Sequence, residues 1–242
     1  MDRPSQLHRQ GLELLEAAEH AGLDTAVPTC PGWVVSKLVH HSARALERTH
    51  LLVSGGLTDY PPKDAYRPLA RDGQLFDQYR AILDQVVETL AATDPEGFSW
   101  NFTGQDQTNA FWSRRMVHEI TVHRYDAQVA AGDPRPVDTE WAVDGIDEMV
   151  VDLLPFTAQR SDSHLTGSYH FHCTDTEGEW LVVLTDGHAV TTREHAKGDV
   201  AVRGPASPLF LWICGRVDLD ATDDLQAFGE PDAIAAWRTL EF

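Results

Sequence analysis

The spacing of apolar residues changes once along this chain, and that change confines it to a helical part followed by a smaller sheet-bearing part. Up to about residue 154 the apolar positions recur three and four apart, as on one face of a helix. Residues 5–21 place Leu7, Leu12, Leu15 and Ala18 at that spacing and stop near Gly22. Residues 33–53 carry Val34, Leu38, His41, Ala45 and Leu46, and close on Gly55 and Gly56. A third helix is expected over 74–92, a fourth over 110–131 ending at Gly132, Asp133 and Pro134, and a fifth over 140–154 ahead of Pro155. Pro61, Pro62 and Pro68 mark an irregular connection between the second and third helices, and residues 93–109 are turn-rich. Past about Ser161 the period falls to two: SYHFHCTD, EWLVVLTDG and HAVTTREH alternate in short pieces parted by Gly and Asp, as strands and hairpins do. DVAVRGPASPLFLWICGR adds a short strand, a Gly-Pro turn and a buried helix. The expected fold is α+β, with a helical bundle over residues 1–158 and a small α+β domain with an antiparallel sheet over 159–242.

Charge and cysteine content narrow the function. The 242 residues carry 38 acidic against 19 basic side chains, a formal charge of −19, with no run of Lys and Arg. Such a field repels a phosphate backbone or an anionic bilayer, so neither nucleic acid nor membrane is an expected partner. An anionic substrate needs a local Arg or a metal to overcome that field. Cys30, Cys173 and Cys214 form no CxxC pair and an odd count, which fits a reducing cytoplasm better than a disulfide framework. The amino-terminal stretch is amphipathic without the apolar core of a signal peptide, and no apolar run approaches the ~18 residues of a membrane span. A cytoplasmic enzyme, monomeric or homodimeric, is the expectation.

Two helices carry residues suited to metal chemistry. In RRMVHEITVHRYDAQ, Glu119 and His123 stand four apart and project from one helical face. Met116, Ile120, Ala127 and Ala130 share that stripe, which points His123 inward, whereas His118 follows Arg114 and Arg115 and is expected at the surface. In the second helix His41 lies with Val34, Leu38 and Ala45, while His40 lies with Ser36, Lys37, Arg44 and Glu47, so His41 is the inward one. A carboxylate beside inward imidazoles is costly to bury alone, and a divalent cation satisfies all three groups. Two nitrogens and one carboxylate oxygen form an open catalytic zinc set. The bland readings are a core histidine bonded to a carbonyl and a helix-surface ion pair, and EITVH is not HExxH. Trp33 reads as a core anchor and Cys30 as a buried structural thiol. His170 and His172 share a strand face, with no third ligand evident to pair with them.

CPGWVVSKLVHH followed by RRMVHEITVHRYDA resembles the mycothiol-dependent maleylpyruvate isomerase family, relatives of the DinB-like metal-binding four-helix bundles. That family joins a CPGW-type opening and a ligand His to a later helix reading HE, three residues, HR, one residue, D. GDVAVRGPASPLFLWICGR is similar to its smaller C-terminal domain. The resemblance implies that His41, Glu119 and His123 hold the metal, Zn²⁺ or another divalent ion. It implies mycothiol as cosubstrate, and gives Arg216 a catalytic place beside substrate or thiol. Asp126 either orients an imidazole or pairs with Arg124. The implied activity is addition of an activated thiol to a small electrophile, anionic ones included, giving cis-trans isomerisation or S-transfer. A zinc hydrolase, which needs no thiol, and a non-catalytic metal-binding regulatory module are the competing readings.

Overall fold

The computed structural model describes residues 1–160 and 165–240. Ser161, where the apolar period is expected to change, lies outside the described residues, as do residues 241 and 242. The chain forms two compact units, Met1–Arg135 and Pro136–Phe242.

Four long helices build the first unit: α1 (Arg3–Ala21), α2 (Val35–Gly55), α3 (Gln74–Ala92) and α4 (Asn109–Ala131). Local chemistry sets their ends. The Asp2 carboxylate accepts the Ser5 N–H at 3.2 Å, and the Thr108 hydroxyl accepts the Phe111 N–H at 3.3 Å, so α1 and α4 start on capped turns. Gly132 ends α4 in the left-handed conformation, φ 79°, open to glycine without a side-chain clash. α1 packs along α4 and α3, and α2 packs against α3 and α4, which closes the ring of helices. Leu7, Leu14, Leu38, Leu46, Tyr79 and Trp112 are fully buried at its centre. Because α1 and α2 flank α4 from both sides, α4 is buried nearly all round and carries Arg115, His118, His123, Arg124, Asp126 and Gln128 inside. His118, expected at the surface, is only 1% exposed. A one-sided facing argument fails on a helix covered on both sides.

In the second unit α5 (Thr139–Asp147) runs without a break through a π-helical stretch, Glu148–Leu153, into α6 (Leu154–Arg160). The pattern predicts an end ahead of Pro155, yet the helix continues through it. The Leu154 N–H reaches back five residues to the Met149 carbonyl. That wider winding shifts the carbonyl that an α-helical proline ring would strike. The sheet comprises β1 (Gly167–Cys173), β2 (Glu179–Thr185), β3 (His188–Thr192), β4 (Val200–Gly204) and β5 (Gln226–Phe228), in the order β3-β2-β1-β4-β5. It is mixed rather than antiparallel: residues 193–199 return the chain so that β4 joins β1 in the parallel sense, while the other three pairings are antiparallel.

Tyr169, Phe171, Trp180, Val182 and Leu184 fill one face of this sheet, where Phe171 meets Trp212 of α7 (Ala206–Ile213) and Trp237 beyond α8 (Pro231–Ala236). The expected domain boundary after residue 158 also differs from the division after Arg135. Asp147 accepts hydrogen bonds from Trp180 Nε1 (3.0 Å) and Arg193 Nε (2.6 Å), and the Val150 carbonyl accepts one from Thr191 Oγ1. These bonds hold α5 and the π stretch to β2, β3 and the segment that follows β3. No helix among the described residues is long and apolar enough to cross a membrane.

Within the helical unit, α1 approaches α3 at Gly11, where an added Cβ would come within 2.5 Å of a Leu83 methyl carbon. Gly11→Val should therefore cost about 1–3 kcal/mol of stability by overpacking, read as a lowered denaturation midpoint. An unchanged midpoint would show that the two helices are free to separate there.

Candidate metal centre

The centre is assembled from α2, α4 and the loop that leads into α2. Residues 25–35 close on themselves through an isolated antiparallel bridge between Ala26 and Val34, with the Val27 N–H donating to the Trp33 carbonyl at 3.0 Å and the Val35 N–H to Thr25 at 2.9 Å. Gly32, at φ 76°, makes the turn that a side chain would resist. This tight loop presents Thr29, Cys30 and Trp33 to α4. Thr29 Oγ1 donates to Asp126 Oδ1 at 2.6 Å, and the buried Cys30 thiol donates to Asp126 Oδ2 at 3.3 Å.

Asp126 in turn fixes His123. Its Oδ2 lies 2.8 Å from His123 Nδ1, and Asp126 is wholly buried. When Nδ1 donates its proton there, the His123 Nε2 lone pair is left to face Glu119, four residues back on the same helix. Glu119 Oε1 stands 3.5 Å from His123 Nε2 and 3.1 Å from His41 Nε2, which arrives from α2. The other Glu119 oxygen is taken by Arg115 Nη2 at 2.6 Å. One oxygen and two imidazole nitrogens thus converge, all within 4.8 Å of one another. Ligands at zinc distances of ~2.0–2.1 Å in a tetrahedron stand roughly 3.3–3.4 Å apart, and both measured separations sit close to that. The donor set and the committed roles of Nδ1 and Oε2 fit a divalent cation.

Electrostatics argue the same way. Burial raises the Glu119 carboxyl, but hydrogen bonds from His123 and His41 and the charge of Arg115 outweigh it and hold the group well below the usual carboxylate range. Burial pushes the His123 imidazole down, but hydrogen bonds to Asp126 and Glu119 overcome this and lift it to about 9. Two carboxylates therefore call for positive charge at one spot, and in the metal-free chain His123 supplies it as a proton. A cation can replace that proton.

The structure brings together the three expected ligands, with differences in detail. His41 is not inward: its side chain is 43% exposed, while His40 is half-buried. The exposed side of His41 is the solvent approach to the centre. Trp33 is less a core anchor than a wall of the site, its ring 5.1 Å from that of His41 and 6.2 Å from that of His123, with the Lys37 ammonium 4.6 Å from its centre. Asp126 serves His123, while Arg124 reaches the Glu13 carboxylate and the Arg135 carbonyl, each at 3.5 Å. Arg115 and Thr29 were not singled out by spacing; the (i, i+4) relation of Arg115 to Glu119 was the available signal. Arg216 belongs to the second unit, where it follows the left-handed Gly215 at the end of α7 and donates Nη1–H to the Cys214 carbonyl at 2.7 Å.

Comparison with known proteins places this geometry in a family. Residues 5–128 match the family model for the mycothiol maleylpyruvate isomerase N-terminal domain, and residues 140–236 match the C-terminal domain that accompanies it. The gap between the matches contains the boundary between the two compact units. Two crystal structures of a mycothiol-dependent maleylpyruvate isomerase, one of them a mutant, share the fold at TM-scores of 0.57 and 0.56. Each is 14% identical over 94% of this chain and 92% of its own. No curated protein matches the chain.

The raised His123 sets a pH window for the metal-free protein. Its folded value of about 9 exceeds the ordinary 6.5, so the stability its proton contributes is complete below about 6.5 and is lost as pH climbs through about 9. Chemical denaturation of the metal-free chain should show that decline, and His123→Gln should flatten it. Equal losses in both proteins over the window would mean that His123 does not hold the proton.

Proposed function

The chain belongs to the mycothiol maleylpyruvate isomerase family, and from that premise we propose that it is an enzyme that binds one divalent metal, Zn²⁺ or a similar ion, through His41, Glu119 and His123 and activates mycothiol for addition to a small electrophile. The convergence of His41 Nε2, Glu119 Oε1 and His123 Nε2 carries the reading. A bound divalent ion supplies Lewis acidity that lets a thiol ionise near neutral pH. This chain's residues do the rest. Asp126 holds His123 in the tautomer protonated at Nδ1, whose Nε2 lone pair is free to bind a metal, and Arg115 keeps Glu119 to a single ligating oxygen. Trp33 walls one side of the approach beside His41. Glu119, Asp126 and Arg115 together leave the centre one net negative charge, so a divalent ion held there would leave one positive charge to be balanced by an anionic thiolate.

For the isomerase reaction, the thiolate adds to one carbon of the cis double bond and the electron pair moves into the conjugated carbonyl. The new single bond rotates. Expulsion of the same thiolate restores the double bond in the trans form, so the thiol is returned unchanged and no oxidant is consumed. Transfer of the thiol to another electrophile follows the first half of that course. Arg216 is proposed to bind a substrate carboxylate through its planar fork of N–H groups.

Three results test the reading. His41→Ala and His123→Ala should each bind one metal equivalent fewer than the wild type while keeping the far-UV helix signal, and a stoichiometry unchanged from the wild type in both would overturn the ligand assignment. Mycothiol added to the metal-loaded protein should release about one proton per chain at pH 7; no release, or turnover of an ester without thiol, favours a hydrolase instead. Arg216→Lys should raise KM for a carboxylate-bearing substrate by about tenfold or more, the worth of ~1.4 kcal/mol or more in a lost bidentate contact.

A further inference from the structure

A second cluster of metal-binding side chains lies in the other unit, on the face of the sheet opposite its packed core. His170 and His172 alternate with the buried Tyr169, Phe171 and Cys173 along β1, so both imidazoles leave the strand on that opposite face. The antiparallel register sets Glu179 of β2 directly across from His172, and the two side chains touch, His172 Nδ1 on Glu179 Oε1. His195, beyond β3, brings its Nδ1 to 2.9 Å from the same oxygen. Its ring lies 5.4 Å from that of His170 and 6.3 Å from that of His172. One ligand atom from each of the four residues falls within 4.8 Å of every other.

His170 is the residue that hydrogen bonding within the cluster leaves unexplained. It is 8% exposed, and its Nε2 is buried without a hydrogen-bond partner among the described residues. An unsatisfied buried nitrogen costs free energy that a strand position open to any apolar residue need not incur.

The backbone is built to bring His195 there. Arg193 clamps Asp147 through two nitrogens at 2.6 and 2.7 Å, and Asp199 accepts the Ser168 N–H and hydroxyl at 2.9 and 2.7 Å, so the loop is fastened at both ends. Between them Gly198 lies against β1, where an added Cβ would come within 3.0 Å of the His170 backbone nitrogen and the Ser168 carbonyl oxygen. The close approach requires glycine.

We propose that His170, His172, Glu179 and His195 form a second metal site, independent of the first, for a late first-row divalent cation such as Zn²⁺. Three imidazole nitrogens and one carboxylate oxygen suit such an ion and not Mg²⁺ or Ca²⁺, which take oxygen ligands. Four protein ligands fill a tetrahedral shell, so the ion ties the 193–199 loop to the sheet and leaves no position for substrate.

The test is a Zn²⁺ titration of the metal-stripped full chain against a chromogenic chelator. The wild type should take two equivalents, His123→Ala one, and His172→Ala/His195→Ala one, with Mg²⁺ failing to compete. Binding that survives His123→Ala and disappears when His172→Ala/His195→Ala is added supports this site even if the first centre proves empty. No binding in the His123→Ala protein, or an undiminished stoichiometry in the His172→Ala/His195→Ala protein, overturns it. Should far-UV circular dichroism show the double variant misfolded, His195→Ala alone decides: its ring sits on an exposed loop and the substitution disturbs no core. It should weaken the surviving site by at least about tenfold, and an unchanged affinity overturns the assignment.

Discussion

A wholly buried carboxylate and a largely covered one on the same helix are the constraint around which the helical unit is organised. Glu119 and Asp126 stand on either side of His123 on α4, Asp126 sealed from water and Glu119 mostly covered, and neither can remain charged there without partners. Every element near them supplies one. Arg115 comes from one turn earlier on the same helix, the entry loop to α2 gives the Thr29 hydroxyl and the Cys30 thiol, and α2 gives His41. Removing a single partner leaves charge exposed to a low-dielectric interior. That is why the loop is closed by its own bridge and turned at Gly32: its hydroxyl and thiol must reach Asp126 with little freedom to wander.

The same arrangement divides labour between the two faces of His123. Nδ1 is committed to Asp126, deep in the unit, and Nε2 is directed outward to Glu119 and the partly exposed His41. Fixed groups lie behind the metal position and an accessible imidazole lies in front of it. A divalent ion bound there would have fixed groups behind it and one side open to an incoming anion, as the proposed activation of a thiol requires. α4 must then be buried nearly all round, and the ring of α1, α2 and α3 provides that burial.

Much of this was legible in the sequence where the signal was local. The four helices, the three side chains that converge at the first centre and the change to a sheet after the bundle follow from periodicity, the (i, i+4) pair and the motifs that carry the family resemblance. What escaped depends on contacts distant along the chain. His118 reads as a surface residue only if α4 has a free face, and His41 reads as inward only if its apolar neighbours fix its depth. Pro155 reads as a stop only in an α-helix, and the π winding before it removes the reason to stop. Strand direction in the β1–β4 pair is decided by the return of residues 193–199, which no alternation pattern encodes. His170 and His172 were visible on one strand face, but Glu179 joins them through cross-strand register and His195 through a loop seated by Gly198.

The most direct measurement of the central claim is anomalous diffraction at the zinc absorption edge from a crystal of the full chain grown with Zn²⁺. The account predicts a peak in contact with His41 Nε2, Glu119 Oε1 and His123 Nε2, with Asp126 still bonded to His123 Nδ1. A zinc-loaded crystal with no peak among those three atoms, or with the ion held by Asp126 and Cys30 instead, would contradict it.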